Sequence, residues 1–260
     1  MRTIEQPVQR IETKPFKSVR FVGFDLDGTI LKEPTRSFPE VFATRTSRLF
    51  HVPENTTHQF AQATMGNPTI RQLETLPNSL SLPSNHLLRL VSMDLRQFIA
   101  NSIDIEFFNQ PLELFPDITS ALKSLKQQGI HLFISSSRPT KNIFQLLELH
   151  PELAECIDFA IGTNPNDPSL KKGEGHFQKV AEHFGIPFEE LVEQSVFIGD
   201  TPSDIQAGAS INIKTIGRTS TKSAEELKNA GAALTVHDFS SLPFLFASER
   251  DLSENQYERR

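Results

Sequence analysis

The chain has no tryptophan, one tyrosine and one cysteine among 260 residues, and it has no apolar run near the roughly 20 residues that a bilayer-spanning helix needs. The lone Cys156 has no partner for an internal disulfide, so packing and not cross-linking must hold the fold. It lies in the run Cys156-Ile157-Asp158-Phe159-Ala160-Ile161, which reads as a strand with the thiol as a small buried hydrophobe. A free thiol suits a reducing cytoplasm. Residues 1–17 alternate charged and polar residues with prolines and lack the apolar core of a signal peptide. An excess of cations is also missing: the net charge of −6 argues against broad attraction to nucleic acid or to an anionic membrane. What remains is a small-molecule ligand.

The aromatic content is almost entirely 21 phenylalanines, which points to core filling. Apolar residues make up 37% of the chain and charged residues 22%, an ordinary balance for a soluble globular protein. From Pro116 onward strands and helices alternate. Ile118, Ala121, Leu122 and Leu125 recur at helical spacing with Gly129 as a stop, and the strand Ile130–Ile134 follows. A helix over 140–149, the Cys156 strand, a helix over 175–184, the strand Ser195–Gly199 and a short helix after Pro202 continue the pattern. The strand Ile213–Ile216, a helix over 223–230, a strand over 233–236 and an apolar end over 239–246 complete it. Repeated strand and helix imply a parallel sheet.

Between Glu33 and Gln110 strand runs are absent. Val41, Phe42, Leu49 and Phe50 suggest one helix, and Leu87, Leu88, Val91, Leu95, Phe98 and Ile99 make an apolar face on another, with Ser84 as its cap. The stretch reads as a helical insertion after the first strand. Residues 249–260 read as a solvated tail.

Reactive groups stand just beyond strands or at helix starts, the edge where open α/β sheets bind ligands. Behind Val19–Phe24 comes Asp25-Leu26-Asp27-Gly28-Thr29, in which the i, i+2 spacing lets both carboxylates face one site. One acid can attack as a nucleophile while the other moves a proton. Asp-Gly is also a common turn signal. A calcium loop starting at Asp25 would need Gly and Glu where Ile30 and Arg36 stand, so that reading fails. Ser136-Ser137-Arg138-Pro139 can hold an anion with hydroxyls and backbone N–H groups. Lys171-Lys172 occupies a loop, and Gly199-Asp200-Thr201-Pro202-Ser203-Asp204 opens a helix with Pro202 in its first turn.

In this order the motifs resemble the haloacid dehalogenase superfamily of phosphohydrolases, over about Val19 to Phe246. The intervals from Ser136 to Lys172 and from Lys172 to Asp200 each fit about one strand and helix, whereas Asp25 to Ser136 leaves roughly 75 residues over. The resemblance implies an α/β fold: a Rossmann-like doubly wound parallel sheet core, 18–32 and 111–247, with an inserted helical cap domain, 33–110, between flexible tails 1–17 and 248–260.

It implies a phosphoric monoester hydrolase in which Asp25 is the nucleophile and Asp27 the acid and base. Ser136, with Ser137, would bind phosphate, and Lys171 or Lys172 would neutralise it. Mg2+ would be held by Asp25, the Asp27 carbonyl and Asp200, with Asp204 and Thr29 in support. A dianionic phosphate approaching Asp25 meets about 4 kcal/mol per charge pair at about 4 Å and an effective dielectric near 20, so those cations are needed.

Dehalogenases of this group lack the second acid, so Asp27 favours phosphoryl chemistry. The related phosphonate hydrolases need a cap lysine, and Pro34 to Gln110 contains none. Phosphoglycolate phosphatase-like chains match the overall pattern, and a small phosphorylated metabolite is the expected substrate. A β-phosphoglucomutase-like sugar phosphomutase shares all the motifs, and a binding protein that kept the fold without turnover is the other alternative. Met65-Gly66-Asn67-Pro68-Thr69-Ile70-Arg71 sits where related caps carry a substrate loop, which makes Arg71 a candidate specificity residue. The sequence leaves the oligomeric state open.

Overall fold

The computed structural model describes residues 16, 18–64, 69–80, 93–108, 110, 112–164, 167, 170 and 172–246. Its centre is β1 (Phe21–Phe24), buried along its whole length. Alternate side chains of β1 enter two apolar clusters, Val22 and Phe24 on one face and Phe21 on the other, as the period of a strand requires. Gly23 has no side chain because Phe133 and Phe197 from the flanking strands close over it, where a Cβ would collide with both rings.

Six parallel strands make one sheet in the order β3-β2-β1-β4-β5-β6. The others are β2 (His131–Pro139), β3 (Phe159–Thr163), β4 (Ser195–Gly199), β5 (Lys214–Arg218) and β6 (Leu234–Val236). Phe24 lies level with Ile134 of β2 and Ile198 of β4, so β1 and β4 end within one residue of each other while β2 continues past them to Pro139. The chain leaves β1 toward β2 on one side and returns to β4 on the other, which opens a crevice above β1.

Four helices of the described chain follow β1 as a group: α1 (Phe38–Phe50), α2 (Glu54–Ala63), α3 (Thr69–Ser79) and α4 (Met93–Phe108). Ser37 starts α1, its N–H donating to the Glu40 carboxylate at 2.7 Å, one half of a capping box. These helices share their own apolar cluster around Val41, Phe42, Leu73, Leu76, Ile99 and Ile103. The remaining helices are α5 (Ile118–Gln127), α6 (Thr140–Leu149), α7 (Pro151–Ala154), α8 (Glu174–Phe184), α9 (Phe188–Gln194), α10 (Pro202–Ala209), α11 (Ala224–Asn229) and α12 (Leu242–Phe246). Among the described residues no helix is long and apolar enough to cross a membrane.

Several local expectations are corrected. Cys156 is buried but precedes β3, which begins at Phe159. At Leu132 the ladder is half side chain: the Asp158 N–H donates to Leu132 O at 2.8 Å, but the Leu132 N–H goes to the Asp158 carboxylate, also at 2.8 Å, which takes Lys126 as well. The second strand does not stop at Ile134 but runs on through Ser135-Ser136-Ser137-Arg138 to Pro139, with an irregular register against β3. Phe16 is no part of a free tail: it is 2% exposed and packs on Phe246, with ring centroids 5.6 Å apart. Leu95 and Phe98, read as an apolar face, are 47% and 69% exposed, whereas Ile99 is buried. Ser84, Leu87, Leu88 and Val91 lie outside the described residues.

Buried His176 of α8 shares a hydrogen bond with the Ser135 hydroxyl at 2.9 Å. Burial, with Lys172 adding to it, pushes its pKa down to about 4. Between about pH 6.5 and 4 the unfolded chain therefore takes up a proton that the folded chain refuses, and stability falls as pH drops through that window. Asparagine at this position takes up no proton in that range and still offers Ser135 a polar partner. The stability difference between wild type and His176→Asn is expected to move by about 2 kcal/mol against the wild type from pH 7.5 to pH 5. Urea unfolding midpoints at the two pH values measure it, and a constant difference would contradict it.

Candidate active site

Asp25 follows β1 directly, its N–H donating to Ile198 O at 2.8 Å as one more rung of the sheet. Its side chain is buried at the crevice. The chain then turns back on itself, with Gly28 N–H on Leu31 O and Leu31 N–H on Leu26 O, both at 2.8 Å. Gly28 sits at φ +76°, and a Cβ there would strike the Asp200 carboxylate and Thr221. Only glycine meets both conditions.

The second acid group comes from the end of β4. Asp200 is 1% exposed, and Thr29 Oγ1 donates to its Oδ1 at 2.9 Å. Thr221 donates to its other oxygen. Asp204, one turn into α10, closes a capping box: its Oδ2 accepts the Thr201 N–H at 3.0 Å, and its own N–H donates to Thr201 Oγ1 at 3.3 Å. Oxygens of Asp25, Asp200 and Asp204 lie within 4.8 Å of one another, all three residues buried. Lys172 enters from the loop before α8 and lies between two of them, bonded to Asp25 and to Asp204 Oδ1, the latter at 2.5 Å. Lys171 lies outside the described residues.

Three carboxylates thus share one ammonium, and the electrostatics show the deficit. Burial lifts the Asp25 carboxyl well above the ordinary carboxylate range; Lys172 opposes this, and Asp204, Asp200 and Asp27 reinforce it. Burial and then Asp204 push Asp200 up to about 7, against the hydrogen bonds from Thr221 and Thr29 and the charge of Lys172. Burial alone would lower the pKa of Lys172, but Asp204 and Asp25 outweigh it and hold the ammonium above its ordinary value. An oxygen-rich, dry cluster short of positive charge fits a hard divalent cation.

The other expected residues divide. Ser136 is buried, its Oγ accepting the Arg138 N–H at 3.1 Å, while Ser137 is exposed beside it. Both lie on the extended end of β2, beyond Ile134, the residue level with Phe24. Asp27 points its carboxylate not into the acid cluster but at Arg138, which grips it with Nε and Nη2 at 2.6 and 2.5 Å. Arg71 is on α3 with a side chain 70% exposed and pairs with Glu74 of its own helix at 2.8 Å. Met65 to Pro68 lie outside the described residues.

Sequence reasoning gave no role to Arg138, Ser220, Thr221 or Arg218. The loop after β5 brings Ser220 Oγ to Gly28 O at 2.5 Å and Thr221 to Asp200. Buried Arg218 donates to Thr29 O at 3.1 Å and to Asp117 at 3.0 Å, between Phe115 and Phe239. These residues hold the turn at Gly28 from behind. The one signal available for them was position, at the end of a strand.

An acid cluster with a buried lysine at the carboxyl edge of a doubly wound sheet is the plan of an α/β enzyme. The chain belongs to the haloacid dehalogenase-like hydrolases, the family matched over residues 22–218. It is 27% identical over 212 residues to a phosphoglycolate phosphatase of Vibrio cholerae, which spans 78% of this chain and 85% of that one. A phosphatase structure from Clostridium acetobutylicum, so described by prediction, superposes with a TM-score of 0.62 at 24% identity, covering 87% of this chain and 97% of that one. A candidate beta-phosphoglucomutase structure from Thermotoga maritima superposes with a TM-score of 0.56 at 19% identity, covering 87% and 98%. At these identities the two structures show the shared fold.

Proposed function

We propose that the protein is a phosphatase of small phosphorylated metabolites that works through a phospho-aspartate on Asp25, in the cytoplasm. The observation that carries this reading is the buried Asp25, Asp200 and Asp204 group with Lys172 inside it, on a chain related to a phosphoglycolate phosphatase. In the first half-reaction a carboxylate oxygen of Asp25 attacks phosphorus, the ester P–O bond breaks, and Asp27 gives its proton to the departing oxygen. In the second, Asp27 takes a proton from water as that water attacks the phosphorus of the acyl phosphate, which releases inorganic phosphate and restores Asp25. Ser136 and Ser137 hold phosphate oxygens, and Lys172 balances their charge as it now balances Asp25.

Asp25, Asp200 and the Asp27 carbonyl would hold Mg2+, with Asp204 and Thr29 supporting them. When bound, it supplies positive charge against the phosphoryl oxygens. Purified protein should hydrolyse an aryl phosphate with Mg2+ and lose that activity in EDTA; activity unchanged by EDTA would count against the metal. A panel of phosphorylated metabolites, with products examined for isomerised sugar phosphate, identifies the substrate and separates phosphatase from mutase.

The cation and a proton compete for Asp200, whose pKa lies at about 7. Raising the pH removes the proton, so Mg2+ should raise the melting temperature more at pH 8 than at pH 6. Equal shifts at both pH values would contradict that competition.

A further inference from the structure

We propose that Arg138 is a positioning residue of the reaction: it fixes the Asp27 carboxyl for proton delivery and ties that orientation to the end of α4 through Phe107 and Phe108. The inference rests on the phosphatase reading above and adds a residue to it. The Arg138 side chain is 2% exposed, against 30% for Asp27. Its fork reaches both oxygens of one carboxyl, at 2.6 and 2.5 Å, and two parallel bonds fix the plane of the group as one bond cannot.

The plane matters because a proton moves well only when donor and acceptor oxygens are aligned, and small misplacements are costly. As the ester bond breaks and Asp27 gives up its proton, a carboxylate is left behind, and the guanidinium is already placed to receive that charge. Net stability is a poor account of the pair, since a buried ion pair contributes little beyond an apolar replacement of equal volume.

The other face of Arg138 is covered by aromatic rings. Its guanidinium carbon lies 4.8 Å from the centroid of Phe108 and 5.6 Å from that of Phe107, at the distance of a cation–π contact. Both phenylalanines end α4, the last helix of the four-helix segment that follows β1 and shares one apolar cluster. A continuous line of contacts therefore runs from that segment, through Arg138, to the carboxyl that handles the proton. The rings also keep water from the guanidinium, which strengthens its hold on Asp27.

The test compares kcat/KM on two esters, para-nitrophenyl phosphate and the most active alkyl phosphate of the metabolite panel. A nitrophenolate leaves without a proton, whereas an alkoxide needs one. Arg138→Gln is expected to lower kcat/KM for the alkyl ester by about 100-fold, the low end of what general acid catalysis contributes, and to change the aryl ester by about threefold or less.

Arg138→Lys, which cannot form the fork, should not restore the alkyl rate. In an Asp27→Asn background, Arg138→Gln should cause no further loss, because the two residues act as one unit. Phe108→Leu should show a smaller loss confined to the alkyl ester, and it carries the test if Arg138→Gln does not fold. Equal losses on both esters would overturn the inference alone. Absence of turnover of either ester by the wild type would overturn the phosphatase reading and this inference with it.

Discussion

Asp25→Asn is expected to reduce phosphate release by at least about four orders of magnitude, the scale at which losing a nucleophile leaves only binding and electrostatics. The substitution should leave the fold intact, for a specific reason. Asp25 is one of three buried acids around a single lysine, and burial already disfavours its charge. An amide of equal shape removes that unfavourable charge, and Lys172 keeps Asp204 as its partner. The melting temperature of the cation-free variant should therefore equal or exceed that of the wild type. Phosphate release under single-turnover conditions, measured beside thermal unfolding, checks both parts. Retained turnover would remove Asp25 from its role, and a collapsed melting temperature would mean that Lys172 depends on Asp25 more than the geometry indicates.

The sheet was legible because parallel strands buried on both faces leave strong runs. Phe21–Phe24 and Ser195–Gly199 are each followed directly by the acid they position. Asp25 and Asp200 could be placed at one edge of the sheet for the same reason: a reactive residue just after a buried strand has few places to go. The misreadings have physical causes. Cys156 and Ile157 look like the start of a strand, but the Leu132 N–H is taken by the Asp158 carboxylate, and paired strand residues begin only at Phe159. Leu95 and Phe98 have helical spacing and are nevertheless exposed, since periodicity gives a face its character and says nothing of what covers it.

Arg138 was hidden for a different reason. Its partner Asp27 lies 111 residues away, and no local pattern distinguishes a strand-end arginine that grips a carboxylate from one that meets solvent. The position of Lys172 between Asp25 and Asp204 is of the same kind. A loop lysine carries no periodic signal, and only the closure of the sheet brings it to the acids.

Lys172→Met should have the largest effect on stability. The lysine side chain is 10% exposed, and those of its partners Asp25 and Asp204 are 9% and 6%. Removing one partner from a buried ion pair costs about 3–5 kcal/mol, because the charges that remain have neither water nor a counter-ion. The cost should depend on pH with a definite sign. Asp25 and Asp200 already have raised pKa values, so the folded state holds protons that the unfolded chain has released, and stability is lost as pH rises through the folded values.

Without Lys172 the acids repel one another with less compensation, so the gap between wild type and variant should widen from pH 5.5 to pH 8. Mg2+ should narrow it again at pH 8 by restoring positive charge among the same oxygens. Turnover should fall by about three orders of magnitude, since one unbalanced charge pair at about 4 Å and an effective dielectric near 20 is worth about 4 kcal/mol. Lys172→Arg keeps the charge but replaces a compact ammonium with a planar fork. It should recover much of the stability and little of the rate. Melting curves at the two pH values, with and without Mg2+, separate these effects, and a variant as stable as the wild type at pH 8 without the cation would show that the cluster does not depend on the lysine for its charge balance.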